Sequence, residues 1–97
     1  MKRLVWSLSA LADFEQAIAY IADQDPHAAR LVAERIDAAI RSLGRHPTGR
    51  PGRVSGTYEK SVAGTPYIVA YSNADTAITV LRVIHASRDW PKEKWPS

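Results

Sequence analysis

Residues 66–85, PYIVAYSNADTAITVLRVIH, carry the pattern from which the sheet can be predicted. Its first part reads as a strand, because Tyr67, Val69 and Tyr71 fall on one face of an extended chain. Turn-forming residues follow at 73–75, and residues 77–85 then place β-branched and apolar side chains on both faces. A strand that is apolar on both faces is usually inside its sheet. The stretch therefore predicts a β-hairpin whose second strand is central.

A third strand and a loop precede this hairpin. Residues 57–62 have strand character, and a turn at 63–65 joins them to the hairpin. Residues 44–56 are rich in glycine, proline and arginine. This composition predicts a loop without regular structure.

Two amphipathic helices lie further towards the N-terminus. Asp25-Pro26 starts the second helix, because aspartate accepts hydrogen bonds from first-turn amides and proline lacks the amide hydrogen that would go unpaired there. Only two or three residues connect the helices, so they must form an antiparallel hairpin. The first apolar stripe is Leu11, Phe14, Ile18 and Ile21, ending near Asp23; the second is Ala29, Val32, Ile36, Ile40 and Leu43, ending at Gly44.

Together with a short strand over residues 2–6, these elements predict an α+β fold. The helical hairpin packs on one face of a twisted antiparallel sheet of three to four strands. The first strand pairs at an edge of the sheet or beside the last strand, and the opposite face of the sheet stays partly open. Residues 1–97 are predicted to be a single domain in which 92–97 form a short C-terminal tail.

The composition argues against several classes of protein. The chain has no cysteine, so neither a disulfide nor a thiolate metal site can form, which agrees with a reducing cytoplasm. No apolar run approaches the ~18 residues of a membrane span. Polar residues interrupt the stretch that follows the basic N-terminus, so no secretion signal is expected. We therefore predict a cytoplasmic protein that does not enter membranes.

Positive charge is concentrated in the second half of the chain. The formal net charge is +3. Residues 1–43 contain five basic and six acidic side chains, whereas residues 44–97 contain eight basic and four acidic ones. This half could attract nucleic acid or an acidic protein, although an ordinary solvated surface has a similar composition.

Arg82 and His85 are the strongest candidates for chemistry. Arg82 interrupts the apolar last strand on the predicted face of Val80 and Ile84, and His85 ends that strand on the opposite face. A functional interpretation makes Arg82 an anion-binding residue and His85 an acid or base, because the histidine pKa lies near neutrality. A structural interpretation pairs Arg82 with an acidic neighbour and His85 with a backbone group.

Other motifs of catalytic sites are absent from the sequence. No histidine pair has the spacing of a metal site, no GxSxG nucleophile motif occurs, and no glycine-rich nucleotide loop follows a strand. We therefore predict neither a metal nor another cofactor. Tyr58, Tyr67 and Tyr71 could stack on the bases of RNA, but they are also ordinary strand residues.

Several segments resemble the RelE/ParE toxin superfamily, and most closely its ParE branch. They are residues 49–59 (GRPGRVSGTYE), 66–71 (PYIVAY) and 81–91 (LRVIHASRDWP), with Trp6-Ser7 before the first helix and residues 20–22 (YIA) before Asp25-Pro26. The resemblance covers about residues 3–91.

This resemblance implies the toxin of a type II toxin–antitoxin pair. A ParD-like or related antitoxin would wrap around the toxin and cover its apolar groove and basic face, so a hetero-oligomer is expected. ParE-type toxins inhibit DNA gyrase, whereas RelE-type toxins cleave mRNA on the ribosome. The glycine- and arginine-rich loop and the His-Ala-Ser-Arg ending favour gyrase. Cleavage of mRNA is the alternative, and a degenerate module without toxicity is a third interpretation.

The two activities would use overlapping residues. A nuclease needs cations around the phosphate and an acid or base, and the set available here is Arg53, Lys60, Arg82 and His85. In the middle strands only Lys60 is available, where a nuclease of this superfamily would have a basic cluster, and this argues against an enzyme. Contact with the target or antitoxin is predicted for Arg50, Arg53, Tyr58, Lys60, Tyr67, Tyr71, Arg82, His85, Arg88 and Trp90.

Overall fold

A computed structural model of the chain describes residues 2–87, which form two helices and five strands. In chain order these are β1 (Arg3–Trp6), α1 (Leu8–Gln24), α2 (Pro26–Arg45), β2 (Arg50–Pro51), β3 (Tyr58–Ser61), β4 (Tyr67–Asn73) and β5 (Ala77–His85). The strands form one sheet in the order β1-β5-β4-β3-β2. The helical hairpin packs against this sheet, so the predicted α+β architecture is confirmed.

Side-chain caps define the ends of both helices. Ser7 Oγ accepts a 2.9 Å hydrogen bond from the Ala10 amide at the start of α1. Asp25 ends α1 and begins α2, where its carboxylate accepts hydrogen bonds from the amides of His27 and Ala28. A single residue therefore connects the helices, one fewer than the shortest link expected, and the hairpin is antiparallel as predicted.

The core lies between α2 and the middle of the sheet. α2 buries most of its predicted stripe, whereas α1 buries only Ala10 completely. Leu11 of the first predicted stripe is 44% exposed, and Phe14 packs against the core from a half-buried position. The buried core cluster is Ala10, Ile36, Ile40, Leu43, Val62, Val69, Tyr71, Ile78, Val80 and Val83.

The sheet is a mixed one of five strands, not an antiparallel one of three to four, although β1 does lie beside the last strand, one of the two places predicted for it. β1 pairs with β5 in parallel, with Arg3 opposite Ala77 and Trp6 opposite Val80. A parallel pair needs a long crossover, which the helical hairpin supplies. The predicted loop also contains the short strand β2, because Arg50 and Pro51 pair with β3 at the sheet edge, where a proline costs no internal hydrogen bond.

A β-bulge in β5 changes which side chains share a face. Tyr71 pairs with Val80, but its neighbour Ala70 pairs with Arg82, so Leu81 is an extra residue in β5. Since residues opposite each other in a sheet share a face and neighbours along a strand do not, Val80 and Arg82 lie on opposite faces. The prediction that Arg82 shares a face with Val80 was therefore wrong, although it does share one with Ile84.

The two faces of the sheet carry different side chains. The helix-side face carries Val69, Tyr71, Val80 and Val83, and the outer face carries Ile68, Ala70, Arg82 and Ile84. We predicted that the outer face stays partly open, but Ile68, Ala70 and Ile84 are at most 6% exposed. Its middle part is therefore buried, which corrects the prediction.

Some predicted features fall beyond the described range. The C-terminal tail, 92–97, and the site residues Arg88 and Trp90 lie outside residues 2–87. Neither α1 nor α2 combines the length and the apolar character that a membrane-crossing helix requires.

Candidate functional site

Arg82 forms an ion pair with Asp13 of α1. Its Nε donates to Asp13 Oδ2 at 2.7 Å and its Nη2 to Oδ1 at 2.8 Å, and both side chains are largely buried. The hydrogen bond with Asp13 raises the pKa of Arg82 more than burial lowers it. The structural interpretation of Arg82, in which it pairs with an acidic neighbour, is thus the one the structure supports.

The hydrogen bonds that follow the end of β1 explain why Asp13 lies beside β5. β1 ends at Trp6, and the next contacts with β5 come from Ser7, whose amide and hydroxyl donate to the carbonyls of Val80 and Leu81. Asp13, two turns into α1, then accepts the amide hydrogen of Val83 at 3.0 Å. The helix thereby continues the hydrogen bonding along β5 beyond the last residue of β1.

His85 contacts Ser87 and Tyr67. Its Nδ1 lies 3.2 Å from the Ser87 amide and 2.7 Å from the Ser87 hydroxyl, and its ring meets Tyr67 edge to face at 5.3 Å. Because an amide can only donate, Nδ1 is the acceptor and a neutral ring carries its proton on Nε2. His85 is therefore bonded to a backbone group, as in the structural interpretation.

A cleft of about 400 Å³ opens beside His85. One wall is formed by α1 residues 13, 16, 17 and 20, which share a face at helical spacing, and the other by the end of β5, Ser87 after it and one residue of β4. Its lining mixes apolar and polar groups: Asp13, Gln16, Ala17, Tyr20, Tyr67, Val83, Ile84, His85 and Ser87.

Arg53 forms the second buried ion pair, with Glu59. Its backbone amide and Nε donate to Glu59 Oε2 at 2.8 and 2.9 Å, and its Nη2 donates to Oε1 at 3.3 Å. Glu59 is only 4% exposed. Burial alone would raise the pKa of Glu59, but the hydrogen bonds and charge of Arg53, with the charge of Arg50, lower it below its usual value. Arg53 is thus neutralised as it orders the loop before β3.

Tyr71 and Tyr58 stack on each other beside Gly49. Their ring centroids are 5.7 Å apart, with Tyr71 buried and Tyr58 39% exposed. The Tyr71 hydroxyl is buried and has no hydrogen-bond partner among residues 2–87. Burial, followed by the neighbouring Tyr58, raises the Tyr71 pKa. Tyr71 is therefore an ordinary packed strand residue, whereas Tyr58 remains available at the surface.

The four candidate residues of a nuclease lie on different faces. Glu59, which holds Arg53, pairs with Ala70, and Ala70 pairs with Arg82, so Glu59 and Arg82 lie on the outer face. Lys60 pairs with Val69 and His85 with Tyr67, which places both on the helix-side face. A carboxylate neutralises each arginine, and Asp13, the partner of Arg82, lines the same cleft as His85.

Sequence reasoning missed the two residues that decide this arrangement, Asp13 and Glu59. Each of these two residues had a distinctive feature in the sequence. Asp13 adjoins the apolar stripe of α1, and Glu59 is the one acidic residue in a basic segment. No group of three or more histidine or carboxylate side chains within residues 2–87 could hold a metal ion.

Comparison with known proteins identifies the family. Residues 4–90 match the family described as "ParE toxin of type II toxin-antitoxin system, parDE". "Putative toxin Y4kP" of Sinorhizobium fredii is 40% identical over 92 residues, which are 94% of this chain and 95% of the relative. "Toxin RelE2" of Caulobacter vibrioides is 34% identical over 88 residues, covering 91% of this chain and 99% of the relative.

Solved structures share the fold. A structure of the chromosomal ParDE system of P. aeruginosa matches with a TM-score of 0.81 at 21% identity, covering 88% of this chain and 96% of the other. The RelBE2 toxin–antitoxin complex of Mycobacterium tuberculosis matches with a TM-score of 0.61 at 26% identity, covering 87% and 90% of the two chains. From its sequence match and its fold, the chain belongs to the ParE toxin family of type II toxin–antitoxin systems.

Proposed function

We propose that this toxin inhibits DNA gyrase by binding to it, and that it does not cleave RNA. The observation that carries the proposal is the neutralisation of Arg53 and Arg82 by Glu59 and Asp13. Cleavage of a phosphodiester by its 2′-hydroxyl builds negative charge on the phosphate, and available cations must stabilise that charge. Arginines that already hold a buried carboxylate are poor candidates for this role, whereas they are well suited to support a rigid binding surface.

A cognate ParD-like antitoxin neutralises the toxin in this proposal, and both act in the cytoplasm. The cleft beside α1 suits a segment of such a partner that carries both apolar and polar side chains, because its lining mixes the two kinds. Exposed apolar residues on the helices, such as Leu11, Tyr20 and Leu31, extend the apolar surface that a wrapping partner would cover.

Ribosome-dependent cleavage of mRNA is the second candidate. It is favoured by His85 and Tyr67, two groups able to transfer protons, which lie in ring contact at the cleft. Against it stands the neutralisation of Arg53 and Arg82 by buried carboxylates. A degenerate module without toxicity is the third candidate, and it predicts that expression of this chain without antitoxin leaves growth unchanged.

A supercoiling assay tests the proposal. Purified gyrase, relaxed plasmid and ATP are combined with the toxin, with and without its antitoxin, and the topoisomers are separated on a gel. We expect the toxin to block supercoiling and the antitoxin to relieve the block. Unchanged supercoiling at toxin concentrations that arrest growth, together with cleaved mRNA in the arrested cells, would reject gyrase and establish the nuclease.

A further inference from the structure

The last residues of β5 lie on an open edge of the sheet. β1 runs beside β5 only as far as Trp6, which is opposite Val80, whereas β5 continues to His85. No strand among residues 2–87 continues the line of β1 along residues 81–85. An open edge presents main-chain groups with which a further extended segment can pair.

The direction of the main-chain groups at this edge follows from the pairing of β5 with β4. The Ala86 amide donates to the carbonyl of Pro66, just before β4, so the main-chain groups of Ala86 point towards that strand. Because these directions alternate along a strand, the groups of Val83 and His85 point away from β4. The hydrogen bond from the Val83 amide to Asp13 agrees with this direction. The edge of β5 thus points into the space between this strand and α1.

Only the first part of this edge is hydrogen-bonded within the described chain. Ser7 and Asp13 bond the main chain of β5 as far as the Val83 amide. The next two groups along the edge are the Val83 carbonyl and the His85 amide, and no residue from 2 to 87 forms a hydrogen bond with either. Both residues line the cleft, which therefore offers one acceptor and one donor of the main chain to an added strand.

The cleft has room for one extended segment and not for the sheet of a second copy. An added strand lies about 4.8 Å from its neighbour. α1 closes the far side of the space with Gln16, Ala17 and Tyr20, so a second strand beyond the first would collide with the helix. The occupant that fits is therefore a single extended segment, and a wrapping partner supplies such a segment without bringing a sheet of its own.

We propose that an extended segment of the antitoxin binds in this cleft as an added strand, with its main chain hydrogen-bonded to the His85 amide and the Val83 carbonyl. The inference rests on the antitoxin partner of the proposed function and names how the toxin recognises that partner. Residues opposite each other in a sheet share a face, so the antitoxin side chain opposite His85 lies on the helix-side face with Tyr67. An apolar side chain suits this position, because Tyr67 and Ala17 line the cleft.

Two variants of His85 separate the main chain from the side chain. His85→Pro removes the amide hydrogen together with the imidazole, whereas the matched control His85→Ala removes only the imidazole. Proline suits an edge position whose amide donates no hydrogen bond within the sheet. Titration calorimetry with the purified cognate antitoxin measures the affinity of each full-length variant, and thermal unfolding verifies that both fold.

We expect His85→Pro to bind the antitoxin at least about 10-fold more weakly than His85→Ala, because an acceptor of the antitoxin then lacks its donor. Equal affinities of the two variants would overturn the proposal. An antitoxin that fails to bind the wild type would overturn it together with the antitoxin partner of the proposed function. Neither measurement contains gyrase, so the proposed target is tested separately by the supercoiling assay.

Hydrogen exchange of the His85 amide, followed by NMR on the wild-type toxin, tests the proposal without a substitution. We expect rapid exchange in the free toxin and exchange at least about 10-fold slower in the antitoxin complex. An amide that exchanges equally fast in the complex would overturn the proposal. Slow exchange in the toxin alone would also overturn it, because residues 88–97 or a second copy would then occupy the edge.

Discussion

Asp13 and Arg82 join the first helix to the last strand, 69 residues apart in the chain, through two hydrogen bonds of 2.7 and 2.8 Å. The same carboxylate accepts the amide hydrogen of Val83, so it satisfies a side chain and the backbone of β5 together. This relationship positions α1 against β5 and forms one end of the cleft. It also removes Arg82 from the set of cations available to bind a phosphate.

We predict that Asp13→Asn and Arg82→Gln each lower the free energy of unfolding by about 2–3 kcal/mol, because each leaves the opposite charge largely buried without its partner. The double variant should lose clearly less than the sum of the two, since no unpaired charge remains. Urea unfolding of the four proteins measures the coupling. Additive losses would show that the interaction between Asp13 and Arg82 contributes little to the free energy of unfolding.

We predict that His85→Phe leaves the inhibition of supercoiling within about 3-fold of the wild type. Phenylalanine keeps the ring contact with Tyr67 and removes both nitrogens, so it separates a packing role from proton transfer. A nuclease that used His85 as acid or base would instead lose about 10²- to 10⁴-fold in activity. The supercoiling assay and an mRNA cleavage assay on the same preparation distinguish these outcomes.

We predict that Glu59→Gln destabilises the protein by about 3 kcal/mol at neutral pH, because Arg53 loses the carboxylate that compensates its buried charge. The pKa of Glu59 is lower in the folded than in the unfolded state, so its stabilising effect is present above the ordinary glutamate pKa and is lost as pH falls through the lowered folded value. The difference in unfolding free energy between wild type and variant should therefore shrink on acidification below about pH 4. A constant difference between pH 7 and pH 3 would contradict the assigned role of Glu59.

We predict that Gly49→Ala destabilises the protein by about 1–3 kcal/mol. A Cβ at this position would lie 2.5 Å from the Tyr71 hydroxyl oxygen and 2.9 Å from the carbonyl oxygen of Glu59, closer than packed atoms tolerate. Tyr71→Phe removes a buried hydroxyl without a partner among residues 2–87, so this change alone should be neutral or stabilising. Thermal unfolding should show that Tyr71→Phe recovers part of the loss caused by Gly49→Ala. No recovery would mean that the clash with the Glu59 carbonyl alone causes the loss of stability.

The helices and the hairpin of β4 and β5 could be predicted because their signals are local. The caps Ser7 and Asp25 act on amides within three residues, and the apolar stripe of α2 repeats within one helix. The parallel pairing of β1 with β5 and the two-residue strand β2 could not be predicted in the same way. Strand direction depends on the path of the whole crossover, and Arg50 and Pro51 become a strand only because β3 offers them an edge.

The position of Arg82 in the sheet was mispredicted. Arg53, Arg82 and His85 were identified from their residue types, yet the bulge at Leu81 moved Arg82 to the other face from Val80. A bulge shifts the register by one residue and leaves the hydrophobic pattern of the strand almost unchanged. The faces of Arg82 and Val83 could thus be assigned only after the pairing with β4 was known.

By itself, the sequence determined the identities of the helices and of the three long strand segments, the excess of positive charge after residue 43, and the resemblance to the ParE branch, because each depends on residue type and on spacing over a few positions. Only the folded arrangement decided that Asp13 neutralises Arg82 and that Glu59 neutralises Arg53. The physical reason is that an ion pair depends on a distance of a few ångströms between side chains. For Asp13 and Arg82 that distance is set by how α1 lies on the sheet, which no local pattern in the chain encodes.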